Sequence, residues 1–166
     1  WVWTARPNLH NTQVFELMRR SARDLGRKGR DQDTGFGRLD IRVALRMPAP
    51  PVDPGEPNDS PGAVRGRAPV GPRLTARLDV TDDPRDYYPV SVPPGSRLTV
   101  TVSSSERVPL QLVDRGGAVT IQRLRGPGRR WLLENPSTEP AVVVVKLYLP
   151  LEARSTHTTY RLSLRG

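Results

Sequence analysis

The chain contains no cysteine and only two histidines among its 166 residues. Disulfides and thiolate metal sites are thereby excluded, and no bridge reports on the redox compartment. His10 and His157 both sit in polar surroundings without a nucleophile elbow, so a local Ser-His-Asp triad is not expected and both are read as surface residues. No run of about 18 apolar residues occurs, which excludes a membrane-spanning helix. Aromatics make up only 5% of the chain and do not interleave with basic residues as a base-stacking surface requires. Lys and Arg outnumber Asp and Glu 26 to 17, a net charge of +9. The arginines nevertheless spread over every segment, and the two local clusters, residues 19–30 and 123–130, lie far apart. This is the pattern of an arginine-biased solvated surface, and nucleic acid is not expected as a partner.

Proline and glycine, in contrast, are abundant, at 18 and 14 residues. They are densest over residues 48–72, where almost nothing apolar is available for a core, and that stretch reads as a linker. The expected organisation is therefore a helical segment over residues 1–47, a linker over 48–71 and a β domain over 72–166.

Before the linker, Val14, Leu17, Met18, Ser21, Ala22 and Leu25 fall on one helical face, with Arg19, Arg20, Arg23 and Asp24 on the other. Gln13 is placed to reach back to His10 as half of a capping box, and Gly26 follows as a stop, so a helix is predicted over 14–25. A polar loop comes next and closes on Gly35-Phe36-Gly37, whose ring is expected to plug a core, before a short helix over 40–45. Two helices and a loop return too little apolar burial to offset an ordering cost of roughly 1 to 2 kcal/mol per residue. This segment is expected to need a partner in upstream sequence, and the opening Trp1-Val2-Trp3-Thr4-Ala5 reads as the continuation of an element begun there.

After the linker the period changes to two. Leu74, Ala76, Leu78 and Val80 alternate with polar residues, as do Leu98, Val100 and Val102. Further strands are predicted over 87–92, 110–113, 119–124, 130–133, 141–149 and 158–164, each bounded by Gly, Pro, Asn or Ser. About eight strands in this length make an antiparallel β-sandwich, and the all-apolar run from Ala141 to Val145 is placed as a central strand. The fold class is mainly β, with a short α-helical segment ahead of the sandwich.

Four pieces of the first segment, in order, carry a resemblance: Arg6-Pro7-Asn8-Leu9, the helix from Gln13-Val14 to Leu25-Gly26, Gly29-Arg30-Asp31, and Thr34-Gly35-Phe36-Gly37-Arg38-Leu39-Asp40. Together they resemble the carboxyl-terminal end of the α/β catalytic domain of subtilisin-like serine proteases. The family's catalytic aspartate, histidine, oxyanion-hole asparagine and serine would all precede Trp1, so the resemblance assigns no catalytic residue to this chain. His10 stands where the family usually caps its helix with serine or threonine. The remainder resembles the pre-peptidase C-terminal domain found behind the catalytic domains of many secreted proteases. The matching pieces are Glu56-Pro57-Asn58-Asp59-Ser60, Asp83-Pro84-Arg85-Asp86-Tyr87-Tyr88, Val92-Pro93-Pro94-Gly95 and Thr159-Tyr160-Arg161-Leu162.

Some members of that second family bind calcium near the start of the sandwich. Here the resemblance implies Glu56, Asn58, Asp59, Asp83 and Asp86 as the oxygen ligands. The same residue types also serve as hydrogen-bonded turns, and both readings stay open at this point. The resemblance further implies an extracellular or cell-surface setting. It implies a protease parent whose substrate is protein or peptide, with the upstream catalytic domain as the segment's partner. The alternative is a non-catalytic β-sandwich that binds a polymer or surface, for which Tyr87, Tyr88, Trp131, Tyr148 and Tyr160 are the available aromatics.

Overall fold

Helix α2 occupies Asn11–Ser21, starting three residues earlier and ending four residues earlier than its apolar spacing predicts. Gln13 Oε1 accepts from the His10 backbone N–H at 3.0 Å, so its half of the expected capping box is present. The early end has a long-range cause. Arg23 N–H donates to Arg38 O at 2.8 Å and Arg38 N–H returns to Arg23 O at 2.9 Å, which pulls the chain out of helical geometry at Ala22. Leu25, predicted on the buried face, is 42% exposed. Gly37 makes the bridge possible, because a Cβ there would lie 2.2 Å from Arg23 O and its φ is +98°. Phe36 does not plug a core. Its ring is half-buried, with the guanidinium carbons of Arg19 and Arg30 at 5.7 and 5.9 Å from its centre.

The structure is a computed structural model that describes residues 1–28, 30–80, 83–113, 120–123, 129–150 and 157–166. The chain divides into two units, Trp1–Val52 and Asp53–Gly166. In the first unit, α1 (Val2–Ala5), α2 and α3 (Ile41–Arg46) enclose a small core of Val2, Val14, Leu17 and Ala44. Asp40 caps α3 by accepting from Val43 N–H at 3.0 Å. Trp1, Trp3, Phe15, Ile41 and Leu45 remain exposed.

The second unit is an antiparallel sandwich with eight strands among the described residues. They are β1 (Arg73–Asp79), β2 (Arg85–Val92), β3 (Arg97–Ser104), β4 (Leu110–Val113), β5 (Thr120–Arg123), β6 (Arg129–Glu134), β7 (Ala141–Tyr148) and β8 (His157–Arg165). All eight coincide with predicted strands to within two residues at each described end. Residues 119 and 124, assigned to the fifth strand from sequence, and Gly29 of the first polar loop lie outside the described residues. One sheet runs β1-β8-β3-β6-β5 and the other β2-β7-β4. The alternating residues Ala76, Leu78, Val100, Val102, Tyr160 and Leu162 of the first sheet meet Val90, Val92, Val143, Val145 and Leu147 of the second.

The valine run is central, as its composition requires, and its two faces have different cover. Val143 and Val145 enter the main core. Val144 lies under Val64 and Tyr87 on the opposite face, while Val142 is 47% exposed. Val64 belongs to the stretch assigned to a linker from its composition. From Asp53 onward that stretch lies along the sandwich: Asn58 O accepts from Tyr87 N–H at 2.9 Å, and Pro89 O accepts from Val70 N–H at 2.9 Å. Proline at position 89 is tolerated because β2 is a sheet edge. Gly55, with φ +95°, turns this lead-in segment over the Tyr88 ring, where a Cβ would come within 3.1 Å of the aromatic edge.

Candidate metal centre

Three pieces of chain converge at one end of the sandwich. The lead-in segment brings Asp53, Glu56, Asn58 and Asp59. The turn after β1 brings Asp83, fixed by reciprocal backbone bonds with Asp79 at 2.8 and 3.1 Å. The start of β2 brings Asp86, which the strand's alternation directs inward while Arg85 and Tyr87 face the other way. Asn58 and Asp86 are fully buried, and Asp83 nearly so.

Glu56, Asp59 and Asp83 each offer a carboxylate oxygen within 4.8 Å of the others. Oxygens on one calcium ion sit at about 2.3 to 2.6 Å from it, hence at most about 5 Å from each other, so this spacing fits a shared cation. The five carboxylates of Asp53, Glu56, Asp59, Asp83 and Asp86 act on one another electrostatically. Arg77 of β1 is the cation that acts on Asp53. Its backbone N–H donates to Asp53 Oδ2 at 2.7 Å, and its guanidinium lies 3.6 Å from Asp79.

Burial of this much like charge sets the protonation. Loss of water, then the charges of Asp86 and Glu56, push Asp83 up to about 10. Burial raises Asp53 to about 7, with Glu56 adding to the rise and Arg77 opposing it. Asp86 is also raised well above the usual carboxylate range by burial, against a hydrogen bond from Tyr160 that favours its charge. Tyr160 and Tyr88 hydroxyls lie 2.7 Å apart, and burial first, then the Asp86 charge, raises both phenols. These two rings are therefore framework for the cluster and not an exposed binding strip.

The hydrogen bonds bear on both readings left open by the sequence. In a self-contained turn the carboxylate and amide oxygens would be used locally. Glu56 does accept from Asn58 N–H at 3.1 Å, a local turn bond. Yet Asp53 Oδ1, Asn58 Oδ1, Asp83 Oδ1 and Asp86 Oδ1 are buried with no hydrogen bond. Buried polar atoms are almost always paired, and unbonded oxygens on residues beside the grouped carboxylates of Glu56, Asp59 and Asp83 suit the oxygen-ligand chemistry of a hard divalent cation. The residues present thus fit calcium. Glu56, Asp59 and Asp83 are the spaced set, and Asp53 and Asp86 are electrostatically coupled to it.

Of the five residues expected from sequence, the structure groups Glu56, Asp59 and Asp83 within 4.8 Å of one another, with Asp59 the exposed member, while Asn58 and Asp86 are buried and lie outside that group. Asp53 was not foreseen. Its signal was present as the every-third spacing of Asp53, Glu56 and Asp59 in a stretch otherwise rich in proline and glycine. His10 lies at the start of α2 and His157 is an exposed residue at the start of β8, in separate units. Comparison with protein-family models, curated proteins and solved structures finds no match to this chain.

Proposed function

We propose that this chain is the non-catalytic carboxyl-terminal portion of an exported subtilisin-like endopeptidase, with a sandwich whose lead-in segment is held by calcium. The observation that carries the calcium reading is the grouping of Glu56, Asp59 and Asp83 oxygens within 4.8 Å, beside buried, unbonded oxygens on Asp53, Asn58 and Asp86. A divalent cation neutralises them together and ties the lead-in segment to the turn after β1 and the start of β2. The extracellular setting suits such a site, because modules outside the cell work at calcium levels of about 10⁻⁴ to 10⁻³ M.

The protease reading rests on the ordered motifs of the first unit and draws support from its surface. Exposed Trp1, Trp3, Phe15, Ile41 and Leu45 are the side chains that a preceding catalytic domain would cover. In that parent the serine acyl-enzyme chemistry belongs to residues ahead of Trp1, and the sandwich is an accessory domain for secretion, stability or substrate contact.

Two measurements test the two halves separately. Calorimetric titration of the chain with calcium at neutral pH gives one ion per chain with a dissociation constant below about 1 mM; absence of saturable heat contradicts the calcium half. A serine-reactive phosphonate labels the protein only when the preceding residues are included, at a serine within a Gly-Thr-Ser motif. Labelling of this chain alone contradicts the non-catalytic assignment.

A further inference from the structure

A second feature lies beside the acidic cluster and has the opposite sign. A cleft of about 1120 Å³ opens at the end of the sandwich where β2, β4, β6 and β7 meet. That exceeds the roughly 300 to 1,000 Å³ of an ordinary small-molecule site. Five cations line it: Arg85, Arg107, Arg129, Arg130 and Lys146. No carboxylate is among its described lining residues, and among the described residues none of the five cations makes an ion pair.

Side-chain contacts hold Arg129 and Lys146, and strand pairing sets the backbone positions of Arg85 and Lys146. Arg129 Nη1 donates to Val108 O, and β-pairing sets Arg85 opposite Tyr148 and Gln111 opposite Lys146. Lys146 Nζ sits 5.0 Å from the centre of the Tyr148 ring. Partial burial and the neighbouring Arg107 charge hold the Arg129 guanidinium below its ordinary value, so the cleft carries positive charge that an anion would stabilise.

The lining is not uniformly charged. Trp131 and Tyr148 offer half-buried rings, and Pro84, Leu110 and Leu149 supply apolar floor. A polymer charged at every unit would leave that floor poorly used. A chain alternating carboxylates with apolar side chains satisfies both, because the guanidiniums take carboxylates in a fork while the rings and prolines cover apolar groups.

We propose that this cleft is a binding site for an acidic peptide segment that carries apolar or aromatic residues between its carboxylates. The assignment stands on the cleft's own geometry and is independent of the parent's chemistry and of calcium.

The test uses the whole chain and a fluorescein-labelled twelve-residue peptide of alternating glutamate and leucine, read by anisotropy at low salt. Saturable binding is expected, weakening as salt rises. The double variant R85E/K146E raises the dissociation constant at least about tenfold, while R65E, an exposed arginine away from the cleft, changes it less than about twofold. Trp131→Leu retains the fold through its partial packing and weakens binding without altering the salt dependence. Equal affinity in R85E/K146E and the parent chain, both showing the same unfolding transition, overturns the site. Tighter binding of a sulfated oligosaccharide or a single-stranded DNA than of the peptide, lost in the same variant, overturns the peptide assignment.

Discussion

Asp83 and Asp86 are three positions apart, and both turn inward from a proline-containing turn that exposes the residues between them to a different neighbourhood. Pro84 and Arg85 line the basic cleft, while Asp83 and Asp86 enter the acidic cluster. At this scale the decisive quantity is the proton. Asp53 and Asp83 have folded-state values of about 7 and about 10, against about 3.9 in an unfolded chain. A raised folded value means the folded state keeps a proton that the unfolded state has released. The associated stability is therefore complete below about pH 4 and declines as pH rises through about 7 and on to about 10. Asp83→Asn keeps the side-chain shape and removes the proton that the unfolded chain releases. In calcium-free buffer its unfolding temperature matches the parent chain near pH 4 and exceeds it by an increasing margin toward pH 9. Each pH unit above about 4 adds at most about 1.4 kcal/mol to the gain. A constant difference across this range contradicts the protonation scheme.

Among the elements, the strands were the most legible. Period-two alternation is a local signal, clearest in β1 and β3, and the other strands are found where short apolar runs lie between turn residues. The order β1-β8-β3-β6-β5 was not legible, because alternation states which face is buried and leaves the neighbouring strand unspecified. The same limit applies to the site. The carboxylates stand out in sequence, but the pairing of Asp86 with Tyr160 joins residues 74 positions apart. The end of α2 was misplaced for a related reason: Ala22 to Leu25 continue the apolar spacing, and the Arg23–Arg38 bridge that ends the helix is a distant backbone contact. That bridge depends on Gly37. Gly37→Ala places a Cβ against the Arg23 carbonyl in a left-handed conformation and destabilises the bridge by more than about 1 kcal/mol. Amide exchange at Arg23 and Arg38 accelerates accordingly, while α3 residues exchange at their original rate. Unchanged protection at Arg23 contradicts the role given to the glycine.

At the level of the whole molecule, composition and topology pull in different directions over the lead-in segment. Its prolines and glycines mark it as a spacer, yet from Asp53 it belongs with the sandwich, and it contributes Asp53, Glu56, Asn58 and Asp59 to the acidic cluster. A segment with so few apolar side chains is held by Val64, a few backbone bonds and, in the proposed account, a cation bridging it to the turn after β1 and the start of β2. The most direct measurement is the unfolding temperature of the whole chain at pH 7.5 in EGTA and across a calcium series. The account predicts a rise of at least about 5 °C by millimolar calcium, continuing logarithmically with concentration as binding to the folded state alone requires. It also predicts loss of that rise in Asp83→Asn. An unfolding temperature that calcium leaves unmoved from EGTA to 10-fold above about 1 mM would contradict it.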